Sequence, residues 1–389
     1  MFLLRNVTFF KLWLGTLFAN LGSIFYEVVV VWYLVTNGSS ALVIAGIPIT
    51  FMVGYNAGAW KIRKIVDMIS TKMIMCFCLL IKVAFLIVMI YGHVLFFHQP
   101  LLLYIFSIIF GGVTSVFEIV RSKSIAELVA EEDIMKANGI EGVSAGIVRI
   151  FAWGLGGFFV MNFDILASLF LALLVGFVSL LLIYTTKWTY KLSYDEKTVG
   201  RAEQNSVDFL PLIISNIINL EVMFNFLMGF LWAAFPFKVA AIGNGLLYGF
   251  QGAAFGVGYL ATSLLVAKFS KNKKMKTFYV LGLSIYMLQN LMFTLTQNPF
   301  VFLMSLLIGG VATTYWITGR STIIHTKLNT EIVGSIFARL KFKTGMAQLP
   351  GYLIGGLLVD MFGFYIVMYV IISLQIFVLH DLLFKISNN

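Results

Sequence analysis

Continuously apolar runs of about 20 residues, separated by short polar breaks, fill the chain from end to end. Twelve such runs are predicted to be membrane-spanning helices. Their cores lie at 10–35, 41–60, 73–93, 99–120, 138–161 and 164–186, then at 213–235, 243–267, 277–296, 299–319, 333–359 and 363–385. The runs do not alternate polar with apolar, which argues against a β-barrel. The longest polar stretch, Lys187 to Asp208, falls between the sixth and seventh runs and reads as a hydrophilic linker. The pattern divides the chain into residues 1–187, a linker at 188–207 and residues 208–389. The expected architecture is an all-α membrane protein of two parallel six-helix bundles.

The two halves repeat each other. Shifted by 199 residues without a gap, Gly111 falls on Gly310, Thr114 on Thr313, Arg121 on Arg320 and Ser122 on Ser321. Glu132 meets Glu331, Gly146 meets Gly345, and Gly156 and Gly157 meet Gly355 and Gly356. Matches among Leu, Ile and Phe mean little in so apolar a chain. Matches at Gly, Arg, Ser, Thr and Glu indicate a duplication, and a period of half the chain sets the architecture.

Composition agrees with this pattern: 60% of residues are hydrophobic and 11% charged, against roughly 25% charged in a soluble globular chain. The net charge of +10 points to nucleic acid only until its distribution is followed. Of the 27 Lys and Arg residues, all but Lys82, Arg149 and Lys238 fall in the termini or in the 61–72, 121–137, 187–208, 268–276 and 320–343 segments. An even number of spans puts those segments and both termini on one side, the cytoplasmic one by the positive-inside rule. The lysines at 268–276 are thus a topology anchor, with anionic headgroups a secondary partner, and no nucleic-acid partner is expected. The first apolar run is too long for a signal peptide and is expected to remain as the first span. Cys76 and Cys78 diverge on one helix and cannot bridge each other. The four histidines sit near run ends, so neither a metal site nor a cofactor is expected.

Gly58 to Met75, between the second and third runs, resembles the loop signature of major facilitator superfamily transporters. Asp67 matches its Asp, Lys72 a trailing basic residue and Gly58 its leading Gly. The match is partial: Lys61, Arg63 and Lys64 precede the Asp, and the second half's loop has no acid. The fifth run, with Gly142, Gly146, Gly154, Gly156 and Gly157, ends in the two glycines of an antiporter signature but has Trp153-Gly154 in place of Gly-Pro. Phe10 to Gly15, Asn20 to Ser23, Trp32 to Leu34 and the Ala126–Gly139 loop resemble the third drug:proton antiporter family, which includes macrolide-efflux and enterobactin-exporter-like proteins. The resemblance implies the major facilitator fold in a bacterial cell membrane, a small-molecule substrate and protons as partners, a monomer, and no enzymatic activity.

Ionisable residues inside spans carry the candidate mechanism, since each is expensive in hydrocarbon. Glu27, next to a Val-Val-Val-Val-Trp run, is the leading proton-coupling carboxyl. Asn20 lies two turns earlier on the same face. Arg149 is the natural counter-charge, to Glu27 or to an anionic substrate, and Glu221 with Asn225 shares a face of the seventh run. Asp67, Lys72, Glu118, Arg121 and Arg320 are the candidate gating residues, with Glu118 and Arg121 placed for a local i, i+3 pair. Gly146, Gly156, Gly157, Gly345, Gly355 and Gly356 are candidate helix-packing positions. Lys82 is mid-span but long enough to snorkel or pack. Tyr26, Trp153, Phe224 and Trp232 are candidate cavity aromatics, with core packing the plainer account of each.

The expected function is secondary transport by alternating access: proton-coupled export of an amphipathic small molecule such as a drug, antibiotic, peptide or siderophore. The alternatives are a non-transporting immunity or sensor protein on the same scaffold, and an uptake permease.

Overall fold

In hydrocarbon every backbone N–H and C=O must be paired within the segment, so apolar runs of this length fold as helices. The computed structural model describes residues 7–62, 69–128, 134–186, 211–269, 275–328 and 330–387. Asp67, Glu132, the 188–207 linker, and Lys271, Lys273 and Lys274 lie outside those residues.

The first half contributes α1 (Val7–Thr36), α2 (Ala41–Ile62), α3 (Thr71–Tyr91), α4 (Pro100–Leu128), α5 (Ile134–Asn162) and α6 (Ile165–Tyr184). The second contributes α7 (Leu212–Ile242), α8 (Gly245–Phe269), α9 (Met275–Leu295), α10 (Pro299–Lys327), α11 (Thr330–Phe362) and α12 (Phe364–Ser387). A short helix, His93–His98, precedes α4. Among the described residues, nine helices are long and apolar enough to cross a membrane, and Gly146–Asn162 and Phe364–Gln375 are shorter apolar stretches. Local chemistry sets several ends. Asp164 caps α6 by accepting the Ala167 N–H at 2.7 Å, and Asn298 caps α10, with Pro299 opening the helix. The turns after α1 and α11 each use a glycine at positive φ, Gly38 (+74°) and Gly363 (+77°).

The chain forms two compact units. One comprises Met1–Ser39, Gly46–Tyr194 and Tyr248–Ala253; the other comprises Ser40–Ala45, Asp195–Leu247 and Ala254–Asn389. Each is packed on one scheme. In the first, α1 packs on α5 and α6, and α3 on α4 and α6; in the second, α7 packs on α11 and α12, and α9 on α10 and α12. Leu12, Met75, Leu79, Phe117, Val120 and Ile183 form a buried core in the first unit.

Close approach of backbones repeats as well. A β-carbon at Gly54 would collide with the Ile108 carbonyl, and one at Gly258 with the Leu307 carbonyl. Ile108 and Leu307 are mates under the 199-residue shift. Among the candidate packing glycines, a β-carbon on Gly156 would lie 2.6 Å from Val28 Cγ1, and one on Gly355 2.7 Å from Phe230 Cα. Small residues at such contacts replace the hydrophobic drive that lipid does not supply. A β-carbon on Gly249 would stand 2.5 Å from Gly157 Cα, and one on Gly356 3.0 Å from Leu42 Cα. Gly146 is buried and Gly345 half-buried.

Candidate functional site

In the first unit α1 carries the leading carboxyl. Around Glu27 the helix is otherwise sealed, with Phe25 at 1% exposure and Val28 at 0%. Glu27 itself stays exposed although neighbours crowd it. The charge acting on it from another helix is Arg149 of α5, which is also exposed. Sequence explains the approach: Gly156 lies two turns after Arg149 on the same face of α5 and admits Val28, the residue next to Glu27. Asn20, two turns before Glu27, is half-buried. Tyr26 points to aromatic company, its ring 5.8 Å from Phe106 and 5.5 Å from Phe110.

Lys82 of α3 does not snorkel. It is buried, donates to Ser23 Oγ on α1 at 3.2 Å, and lies over the rings of Phe110 (4.8 Å) and Phe117 (5.6 Å). Further along α4, Glu118 Oε2 accepts from the Tyr55 hydroxyl at 2.5 Å. One partner of this carboxylate therefore comes from α2, a contact that local i, i+3 spacing does not show. Arg121 is half-buried one turn on. Lys72 donates to the Thr186 carbonyl at 2.8 Å, just beyond the end of α6, and stands 5.5 Å over the Tyr184 ring. A cation at a helix C-terminus satisfies free carbonyls and complements the dipole.

The second unit holds a denser constellation. Glu221 of α7 has 0% exposure. Its Oε1 accepts from Trp316 Nε1 at 2.5 Å and from the Tyr279 hydroxyl at 3.4 Å, and its Oε2 from Arg320 Nη1 at 2.9 Å. Two helices, α9 and α10, thus aim three donors at one carboxylate of α7. Trp316 and Arg320 are i, i+4 on α10, so one helix face delivers both. Phe224 closes the site below, with its ring 4.8 Å from Trp316 and edge-on to it. Asn225, one turn from Glu221, turns its amide back to the Glu221 carbonyl at 2.8 Å. Trp232 is partly exposed and Trp153 half-buried.

The structure thus joins a cavity candidate, Glu221, to a gating candidate, Arg320, and brings Arg149 to bear on Glu27. It adds Tyr55, Tyr279, Trp316 and Ser23. Of these, Ser23 closes the Asn20–Ser23 step of the family resemblance, and Trp316 is the aromatic mate of Phe117 one turn before the repeated arginine. Among the described residues no cluster of His, Cys, Asp and Glu is suited to a metal.

Two helical units built on one packing scheme, with intramembrane charges paired across helices, define a transporter of the major facilitator type. Residues 2–335 match the family described as transmembrane secretion effector, and the chain belongs to that family within the major facilitator superfamily. It is 23% identical over 320 residues to YjbB of Bacillus subtilis (strain 168), an uncharacterized MFS-type transporter, covering 78% of this chain and 76% of that one. In fold it is similar to the nucleoside transporter NupG (TM-score 0.74, 12% identity, covering 96% of this chain and 98% of that one). It is also similar to a D-xylose-proton symporter (TM-score 0.73, 14% identity, covering 96% and 97%).

Proposed function

We propose that the protein exports an amphipathic small molecule in exchange for protons, by alternating access, from a bacterial cell with both termini in the cytoplasm. One observation carries the coupling assignment. Of the two carboxylates placed mid-helix in α1 and α7, Glu27 is the exposed one, with the Arg149 guanidinium acting on it. A coupling group must meet water to load and unload a proton, and an open carboxyl beside one cation suits that requirement better than a sealed one. Arg149 then serves as the resident counter-charge when Glu27 is ionised and is released when it is protonated. The hydrogen-bonded Glu221 suits a structural or gating role. Export follows the family's description as a secretion effector.

The test is transport of a panel of amphipathic dyes and antibiotics in proteoliposomes under an imposed pH gradient. Accumulation should follow the gradient, collapse with a protonophore, and fall at least about tenfold in Glu27→Gln while gradient-independent counterflow persists. Gradient-driven transport that is unchanged in Glu27→Gln would remove Glu27 from the coupling role.

A further inference from the structure

Two lysines lie buried in the helices, one in each unit, and they are not alike. Lys238 of α7 has 0% exposure, and its ammonium donates to the carbonyls of Thr294 (3.2 Å) and Thr296 (2.8 Å) while standing 4.7 Å over the Tyr365 ring. Two backbone carbonyls and an aromatic face satisfy it, so it is a structural cation. Lys82 keeps 7% exposure and, among the described residues, has one acceptor, Ser23 Oγ at 3.2 Å. That hydroxyl is itself committed as a donor to the Ala19 carbonyl at 2.9 Å. The rings of Phe110 and Phe117 flank the ammonium and offer only their faces.

An ammonium has three donors, and in a medium without water each needs a partner. Among the described residues no carboxylate comes within 4.0 Å of Lys82 Nζ. Glu118 acts on it from beyond that distance, and its own oxygen is held by Tyr55. Among the described residues, Lys82 is thus the buried cation with neither a carboxylate nor a carbonyl oxygen against it. A buried charge with one hydroxyl and two ring faces is costly to keep, and an oxyanion would meet it better than these partners do.

We infer that Lys82 is the counter-charge for an anionic group of the cargo, a carboxylate or a comparable singly charged oxyanion. The inference rests on the transport reading and narrows its substrate class to amphipathic anions.

The experiment is equilibrium binding and thermal unfolding of the full-length protein in nanodiscs, without any gradient, using a set of aryl-alkyl carboxylic acids, each paired with its methyl ester. The acids should raise the unfolding temperature and bind better than their esters. Lys82→Met keeps the length and apolar stem but removes the charge. It should weaken acid binding on the order of thirtyfold, to the level of the ester, whereas Lys82→Arg should retain the preference for the acid. Without ligand, Lys82→Met should unfold at the wild-type temperature or above it, because no partner is orphaned; Lys238→Met, which strands two carbonyls, should unfold lower. Esters binding as well as acids, binding by neither, or an acid preference surviving in Lys82→Met would each overturn the proposal. So would failure of both Lys82 variants to fold, because that would make Lys82 a structural residue like Lys238. Because no gradient is used, these outcomes leave the proton-coupling reading untouched, and a failure of gradient-driven transport leaves the acid preference to be read by itself.

Discussion

The carboxylates of α1 and α7 show what a duplication keeps and what it releases. The two helices are repeat-mates, yet the 199-residue shift carries Glu27 to Phe226 and Glu221 back to Gly22. Glu27 is exposed and has one opposing charge, while Glu221 is sealed and receives donors from Trp316, Tyr279 and Arg320. The backbone contacts behave in the opposite way: Gly54 against Ile108 returns as Gly258 against Leu307. Packing is therefore the shared inheritance, because close helix approach is what holds either unit together in lipid. Charge has diverged, each unit placing its carboxyl where the other has none. An open carboxyl can exchange a proton at small structural expense, whereas a sealed and hydrogen-bonded one cannot be altered without disturbing three helices.

The largest effect expected from this contrast is at Glu221. Glu221→Ala removes the acceptor from three donors and leaves the Arg320 guanidinium, 19% exposed at its side chain, beside an empty site. Breaking one side of such a pair costs about 3–5 kcal/mol, which should appear as a lower unfolding temperature and weaker urea resistance in detergent. The double variant Glu221→Gln with Arg320→Gln should recover part of the loss, since neither charge is then stranded. A single Glu221→Ala variant as stable as wild type would mean that the network holds nothing.

Within the network the donors should rank by geometry. Trp316→Phe removes the donor at 2.5 Å and should cost about 2 kcal/mol, the range for a hydrogen bond to a charged group. Tyr279→Phe removes one at 3.4 Å, near the limit of a hydrogen bond, and should cost under about 0.5 kcal/mol. Unfolding of the two variants side by side checks the order, and the reverse order would show that Tyr279 carries the carboxylate.

The architecture was legible in the sequence because hydrocarbon leaves few choices. The apolar run at 73–93 is the helix Thr71–Tyr91, and that at 299–319 opens Pro299–Lys327. The sites were less so. Glu221 and Arg320 are 99 positions apart, and no local spacing joins them. In a soluble helix the polar face would mark the outside. In lipid both faces are apolar, so periodicity does not say which way Lys82 points, and snorkelling looked as reasonable as burial. Tyr55 and Tyr279 gave no signal, because a tyrosine among apolar residues reads equally as packing. Arg149 stood out because it breaks an otherwise glycine and apolar run, and such breaks were the most informative positions in the chain.

The smallest stability change belongs to the carboxylate with the largest functional assignment. Glu27→Gln keeps the shape of the side chain, leaves no fully buried donor orphaned because Arg149 is exposed, and should shift stability by no more than about 0.5 kcal/mol. The measurement is the same unfolding experiment used for Glu221→Ala, read alongside gradient-driven transport. The contrast requires the two variants to separate: one losing its fold's resistance, the other keeping it while losing proton-driven transport. If Glu27→Gln lowered stability as far as Glu221→Ala, both carboxylates would be structural, and the coupling group would have to be sought elsewhere in the first unit.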